Sequence, residues 1–577
     1  MSGAPGPAVR LLPAWVRRYR RDWLRDDLTA GLTLAVMLVP QAMAYAALAG
    51  MPPITGLYAS VVALIVYAAL GTSSHLSFGP VALISLLTAS ALAPLAGGDV
   101  ERYVALAGAL ALMVGLVHLL LALVRAGALV ELISHPVVVG FTAAAGLVIG
   151  LSQVGDLTGV EGERSKDALD SLLVAARALP DAHLPTLAIG LGAIVLLLTG
   201  RRLAPRLPMA LIVSVLAVVS SVVLGLSGRG VAIVGDIPAG LPRPGLPDVG
   251  LDDLRALVPA ALVIAAISYA ESISIAKAIA ARSRERLNPG RELSASGAAN
   301  LAAGVAGGFP VAGSFTRSAV VHDAGARTQL AGLVAAAVVV LTLLVLTPLL
   351  EPLPRAVLAA IVVVAVIGLI DVRAAIDTFR VDPADGLVLI VAFGATLALG
   401  VELGLLTGVV VNLGVHVVRG MRPALVELGR VPGTRLYRNV ERFDTVTDPR
   451  GVILRLDGPL DFLSVNEVTG HLRRLAADRP ELDWLVLDAS GVTGMDSTGV
   501  HALSDLQEHL AEAAVDLHLA TLRGPQRDVI DRAGRFEQLI QGTCHPDVPT
   551  ALQAAGVEQG ALLLTPSRGE QAPEGLR

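Results

Sequence analysis

The stretch "GGFPVAGSFTRSAVVHDAGART" (307–328) sets a proline, several glycines, clustered hydroxyls and Arg317 between two long apolar runs. A bilayer core penalises charge, and it penalises loose backbone because unpaired N–H and C=O groups find no water there. Such backbone is tolerated at membrane depth only where protein covers it or where it lines a water-filled cavity. A helix opening at Gly313 or Ser314 leaves its first N–H groups unpaired, and those donors, at the positive end of the helix dipole, favour an anion. Arg317 falls in the first turn of that helix, with Thr316 beside it. Arginine at the bilayer centre costs at least ~2.5 kcal/mol on insertion scales, so it calls for a partner. The plainer alternative is that Ser314 caps the helix and Arg317 snorkels to an interface.

The surroundings say membrane. The 577-residue chain is 54% hydrophobic and only 16% charged, against about a quarter charged in soluble domains. Apolar stretches near the ~20 residues needed to cross a bilayer recur from Leu28 to about Val418. They fall near 28–48, 54–71, 80–96, 103–124, 129–155, 184–200, 207–226, 256–281, 292–306, 313–322, 328–350, 355–371, 385–399 and 402–418, fourteen in all, several too short to span alone. Beyond residue 440 charges appear every few positions and apolar runs shrink to strand length. There "VILRLDG" (452–458), "LDWLVLDAS" (482–490) and "VDLHLATL" (515–522) read as strands, with "SVNEVTGHLRRLAA" (464–477) and "STGVHALSDLQEHLAEA" (497–513) as helices. That alternation predicts a small α/β domain. The expected organisation is a cytoplasmic amphipathic segment (1–27), a transmembrane transport domain (28–420), a linker (421–440), the α/β domain (441–560) and a disordered tail (561–577).

Several function classes drop out. The single cysteine, Cys544, excludes an intrachain disulfide and offers no metal cluster. No phosphate-binding loop of the G-x-x-x-x-G-K-[ST] type occurs, so an ATP-driven pump is not expected. A net charge of −5 argues against nucleic acid as a partner. "RRYRRDWLRDD" (17–27) precedes a full span with no small-residue cleavage site after it, which is not a secretory signal. "LLPAWVRRYRRDWL" (11–24) suits a short amphipathic helix on the membrane surface. No cofactor is expected, and no enzymatic activity.

Positive charge fixes orientation. With the N-terminus inside, Arg125, Arg201, Arg202, Arg206, Arg282, Arg284, Arg286, Arg291, Arg373, Arg380, Arg419 and Arg422 fall in cytoplasmic turns, while "AGMPPI" (49–54) opposite is poor in it. Both ends are expected in the cytoplasm, and the protein in the inner (plasma) membrane. Fourteen segments can be two sevens. "VPQAMAY" (39–45) interrupts the first segment at Pro40, and "SFGPVALISLL" (77–87) starts a short third helix at Pro80, a residue suited to the first helical position. In the second half "SYAESISIAK" (268–277) is a polar eighth segment and "FPVAGSFTRSAV" (309–320) starts a short tenth. Pro40 to Pro80 is 40 positions and Glu271 to Gly313 is 42. Matching interruptions in two halves of odd length predict inverted repeats with a binding site between them.

Glu271 stands alone in a small, apolar helix, where it can accept a proton, join a cation site, or brace a neighbouring helix. Lys277 is about 120° further around that helix and is expected to reach the cytoplasmic surface. Gln41 and Tyr45 lie four apart on one face and can offer hydrogen bonds without a charge, or serve packing and freed backbone. His118 reads as a packed histidine rather than a proton relay, and Glu402 as a solvated loop residue. In the α/β domain Asp496 or Ser497 caps a helix, and a phosphate on Ser497 would meet that helix start favourably.

The motifs "VPQAMAYAALAGMPPITGLYAS" (39–60), "SFGPVALISL" (77–86), "ESISIAKAIA" (271–280), "NPGRELSASGAANLAAGVAGGFPVAGSFTRSAV" (288–320) and "DSTG" (496–499) resemble the sulfate permease (SulP) family of anion transporters, with a C-terminal part similar to STAS domains. The resemblance covers roughly residues 28–560. It implies an all-α membrane domain of fourteen segments in two inverted seven-helix repeats, divided into core and gate and usually homodimeric. It puts the substrate site between the third and tenth helix starts, lined by Gln41 and Tyr45, by Val81, Ala82 and Leu83, and by Ser314, Phe315, Thr316 and Arg317. Many relatives carry an aromatic residue where this chain has Val81, so substrate size stays open. Relatives that couple bicarbonate to sodium often carry Asp where this chain has Glu271, which leans towards protons. The serine matching Ser497 is phosphorylated in anti-sigma antagonists.

The resulting expectation is a secondary active transporter of a small anion (sulfate, bicarbonate or a C4-dicarboxylate). It would work as a proton-coupled symporter by an elevator mechanism, with the lipid bilayer and a second copy as partners. An uncoupled channel or exchanger, a sodium-coupled bicarbonate symporter, and a membrane-tethered signalling scaffold are the rivals.

Overall fold

The computed structural model describes residues 13–124, 134–160, 172–173, 180–204, 207–238, 240–540, 543–557 and 565–566. Arg125, Arg206, the first part of the amphipathic segment and the tail beyond residue 566 lie outside the described residues. The chain forms two compact units, Met1–Asn412 and Leu413–Arg577.

The first unit is helical. In chain order come α1 (Leu24–Leu48), α2 (Pro53–Leu70), a two-residue strand β1 (Phe78–Gly79), α3 (Ala82–Ala96), α4 (Val100–Leu123), α5 (His135–Ser152), α6 (Leu184–Leu203) and α7 (Met209–Leu224). The second half repeats the plan with α8 (Leu251–Ser283), α9 (Pro289–Val305), β2 (Ala312–Gly313), α10 (Phe315–Asp323), α11 (Leu330–Leu341), α12 (Arg355–Ile367), α13 (Pro383–Leu399) and α14 (Val401–Gly420), the unit boundary falling within α14 after Asn412. Each seven has a short strand immediately before its third helix, as inverted repeats require. Among the described residues nine helical stretches are long and apolar enough to cross a bilayer, while α3, α7 and α13 are shorter apolar helices.

Tight packing here comes from small residues, because lipid supplies no hydrophobic drive between helices and close van der Waals contact must do the work. Helices α4 and α9 show it best. A methyl group on Gly115 would sit 2.7 Å from the Gly297 carbonyl oxygen, and one on Gly304 would sit 2.6 Å from that of Gly108. Both distances are sub-contact, so the two backbones approach closely only because neither face carries a side chain there.

The structure corrects four expectations. Helix α1 runs unbroken through Pro40, because a proline removes one hydrogen bond from a long helix whose neighbours hold it on course. Helix α3 begins at Ala82, not Pro80, since residues 78–79 are drawn into strand pairing. A further helix, Val372–Val381, lies between α12 and α13; its alternating charges hid it from a count of apolar runs. Glu402 is not in a loop: only Gly400, at φ 86°, separates α13 from α14.

The second unit is α/β. Its strands are β3 (Ala424–Arg430), β4 (Tyr437–Asn439), β5 (Val446–Thr447), β6 (Gly451–Leu460), β7 (Trp484–Asp488), β8 (Val492–Met495), β9 (Asp516–Ala520), β10 (Cys544–His545) and β11 (Thr565–Pro566). The main sheet runs β10-β9-β7-β6-β3-β5-β11, parallel from β6 to β10 and antiparallel where β3 meets β6. Helices α15 (Val465–Asp478) and α16 (Ser497–Glu512) bury Val468, Leu472, Val500 and Leu503 against Leu454, Leu456, Leu485 and Leu487 of the sheet.

Candidate anion site

Strands β1 and β2 pair antiparallel, Phe78 opposite Gly313 and Gly79 opposite Ala312. The bridge is extended by Ser314 N–H donating to the Ser77 carbonyl at 3.0 Å and by Ser77 N–H donating to Ser318 Oγ at 2.8 Å. Two unwound approaches therefore satisfy each other's backbone, and the starts of α3 and α10 lie side by side. Neither helix start carries a side-chain cap: Val81 and Ser314 occupy the cap positions without one. The Ser314 hydroxyl instead meets Thr316 Oγ1 at 3.3 Å, so the simple capping alternative does not hold. Two uncapped N-termini leave free N–H donors and two positive dipole ends, the arrangement that suits an anion.

Arg317, in the first turn of α10, is fully buried. Its Nη1 donates to the Pro80 carbonyl at 2.8 Å and its Nε to Ser77 Oγ at 3.4 Å, which spends most of the guanidinium on the approach to α3. Nη2 is enclosed and has no protein partner; it faces Gly79, where a Cβ would come within 3.4 Å of it. A buried charge is costly unless paired, and Nη2 is a donor that an acceptor entering the site could use. The snorkelling alternative fails on the same burial.

Glu271 lies on the wall of a cavity of about 990 Å³ that is also lined by Leu83, Phe315, Lys277 and Tyr269. Its Oε2 is enclosed without a partner. The lining also includes Val138, Phe141 and Thr142 of α5, with Leu369 and Leu405. Residues of α3, α4, α5, α8, α9, α10 and α14 thus share one cavity. Lys277 is exposed and lines this same space rather than standing apart from it.

The other expected residues divide. Gln41 and Tyr45 are buried on α1, and Gln41 Oε1 has no partner. Val81 is buried at the start of α3, Ala82 is half-buried and Leu83 faces the cavity. Phe315 and Thr316 are exposed and Ser314 is buried. His118 is fully buried and bonded, with Nε2 2.8 Å from the Ala265 carbonyl. In the second unit Asp496 caps α16, Oδ1 accepting from Gly499 N–H at 2.8 Å, and Ser497 is exposed in the first turn. The side chain of Glu402 lies outside the described residues.

Sequence reasoning passed over the groups that hold the approach to β1. Glu292 on α9 is buried and accepts from Tyr67 Oη at 2.7 Å, from Thr72 N–H at 2.6 Å, from the Thr72 hydroxyl and from Ser73 N–H at 3.2 Å. Glu285, in the turn after α8, accepts from Ser74 N–H at 3.2 Å and lies 3.3 Å from His75 Nδ1. Burial works against its charge, but the His75 contact and the Ser74 donor outweigh it and hold the carboxyl below the usual range. The only signal in the sequence was an acidic residue opening an otherwise small, apolar helix.

Two family profiles match the chain: the Sulfate permease family over residues 24–392 and the STAS domain over residues 439–551. A probable sulfate transporter of Mycobacterium tuberculosis is 37% identical over 542 residues, covering 93% of this chain and 96% of its own. Among solved structures, the murine solute carrier 26 family member A9 anion transporter in the inward-facing state superposes with a TM-score of 0.87 at 24% identity, over 96% of each chain. The transmembrane domain of a cyanobacterial bicarbonate transporter, BicA, superposes with a TM-score of 0.59 at 23% identity, over 69% of this chain and 99% of that one.

Proposed function

The chain belongs to the sulfate permease family and is an anion transporter, and we propose that it carries sulfate across the cell's inner membrane together with protons. The observation that carries this reading is the pairing of two uncapped helix starts around one uncommitted donor, Arg317 Nη2. Sulfate is favoured as cargo because a relative named as a probable sulfate transporter aligns over nearly the whole chain. The free N–H groups of α3 and α10 (at Ala82, Leu83, Phe315 and Thr316) and Arg317 would hold the anion, with Gln41 and Tyr45 from α1 and Val81 and Ser314 shaping the pocket.

Glu271, with one carboxylate oxygen enclosed and unpartnered, would carry the coupling proton. Protonation together with anion binding lowers the net charge the loaded carrier must move, which favours symport over exchange. The cavity lined by α8, α10, α5 and α14 gives room for an elevator movement, in which the core would slide along the gate and carry the site with it. Both ends of the chain would be cytoplasmic, the working form a homodimer, and exposed Ser497 a regulatory phosphorylation point.

Purified protein in liposomes, given radiolabelled sulfate under an imposed pH or sodium gradient, tests this directly. Sulfate should accumulate when the outside is acid and ignore sodium. Uptake that follows sodium and prefers bicarbonate, or that ignores both gradients, would overturn the coupling assignment.

A further inference from the structure

We propose that Ser272 and Asn300 are positioning residues for the anion site, clamping the unwound approach to α10 from behind, and that His118 keeps their two helices in register. The functional part of this inference rests on the anion-transport reading above.

The approach to α10 is wholly enclosed: Phe309, Val311 and Ala312 are all 0% exposed. Backbone without helix or sheet partners cannot remain there unless side chains supply them. Strand β1 serves only one side of this segment. On the other, Asn300 of α9 acts as a substitute strand: Val311 N–H donates to its Oδ1 at 2.9 Å, and its Nδ2 donates to the Val311 carbonyl at 3.0 Å. Two residues on, Gly313 N–H donates to Ser272 Oγ at 2.8 Å, and that hydroxyl donates in turn to the Ser268 carbonyl at 2.6 Å. Gly313 has little room to move, since a Cβ there would lie 3.1 Å from Ser272 Oγ.

The two clamps come from different helices, α8 and α9, so they agree only if those helices are fixed to one another. His118 of α4 does this. Its Nε2 donates to the Ala265 carbonyl of α8 at 2.8 Å, and its Nδ1 accepts from Ser296 Oγ of α9 at 3.2 Å. The Asn300 amide donates to the Ser296 carbonyl at 3.0 Å. His118, Ser296 and Asn300 are each at most 1% exposed.

Ser272 is the residue after Glu271, and Gly313 stands four before Arg317. One hydrogen bond therefore joins the helix that carries the carboxylate to the helix start that carries the arginine. The geometry makes Ser272 the link through which the proton site and the anion site keep their spacing. Ser272 and Asn300 act through the backbone they hold.

The test combines amide hydrogen exchange with sulfate uptake, on the purified full-length protein. In Ser272→Ala the Gly313 amide should lose protection while Val311 keeps it, and in Asn300→Leu the Val311 amide should lose it. Sulfate KM should rise about tenfold in each, the effect of stranding one buried donor, with kcat changed less. Ser272→Ala should also blunt the response to a pH gradient. Ser272→Thr, which restores the hydroxyl, should recover both, and Asn300→Asp, which keeps only the acceptor, should fall between. Unchanged protection would overturn the clamps, and lost protection with wild-type KM and coupling would overturn their positioning role. If the exchange results hold while Arg317→Ala binds sulfate normally, the anion reading fails and the clamps stand.

Discussion

Arg317 Nη1 donates to the Pro80 carbonyl at 2.8 Å, so the cation of one half-helix is bonded to the backbone that introduces the other. This arginine has two tasks, tying the two approaches together and presenting Nη2 to an anion. Arg317→Ala removes both, and truncating a buried, hydrogen-bonded charge costs 2 kcal/mol or more, which is about thirtyfold. Sulfate affinity should fall at least that far, read by isothermal titration. Arg317→Lys keeps the charge but cannot reach Pro80, Ser77 and an anion at once, so it should recover only part of the loss. Lysine equal to wild type would mean that charge alone matters.

Glu271→Gln keeps shape and hydrogen-bonding capacity while removing the titratable proton. Sulfate exchange across liposomes should persist, and accumulation driven by a pH gradient should vanish. The measurement is the ratio of gradient-driven uptake to equilibrium exchange. A ratio that stays at the wild-type value sinks the coupling role.

Much of this was legible in the sequence, because membrane solvent writes plainly. Helices α1 to α14 each answer to an apolar run, and the Pro and Gly breaks before residues 82 and 315 are where β1 and β2 form. Arg317 stood out since its cost in lipid is large. What stayed hidden is long-range pairing between neutral polar residues. Asn300 in "GAANLAAGV" and Ser272 beside Glu271 look like ordinary small-helix residues until the fold brings Val311 and Gly313 to them. Glu292 meets Tyr67 across 225 positions, a contact no local pattern announces. Pro40 misled because the neighbouring helices that bury it keep α1 on course past the lost hydrogen bond, and no local pattern shows them.

Val81 holds the cap position of α3, one residue after the carbonyl that anchors Arg317. Phenylalanine there would crowd the space between the two helix starts, and overpacking a filled site commonly costs 1–3 kcal/mol, or about tenfold in affinity. Val81→Phe should weaken sulfate binding by that order and spare chloride, as measured by competition against labelled sulfate. Equal loss for both anions would indicate general disruption and leave selectivity elsewhere.

Glu292 is a structural pin rather than a transport group. In Glu292→Ala the half-buried Thr72 amide loses its acceptor, and so do the Tyr67 hydroxyl and Ser73 amide, two buried donors worth about 1–3 kcal/mol each when stranded. The purified variant should unfold several degrees below wild type in a thermal-shift assay, with Glu292→Gln in between. A variant as stable as wild type would show that water replaces the carboxylate there.

His518 Nδ1 and His545 Nε2 lie 3.1 Å apart across β9 and β10, and His518 Nε2 is enclosed with no partner. Burial, and then the neighbouring His545 charge, holds His518 below the ordinary imidazole value, and burial does the same to His545. Unfolded, both would take up protons near pH 6.5. The unfolded state therefore binds more protons below that pH, and stability falls as the solution is acidified. The contribution is complete above about pH 6.5 and is lost as pH drops through the lowered folded values. Amide exchange in β9 and β10 should accelerate between pH 7 and pH 5 relative to the intrinsic rate. His518→Phe, which removes the unpartnered ring nitrogen and one of the two titrating groups, should flatten that dependence, and an unchanged slope would put the acid sensitivity elsewhere.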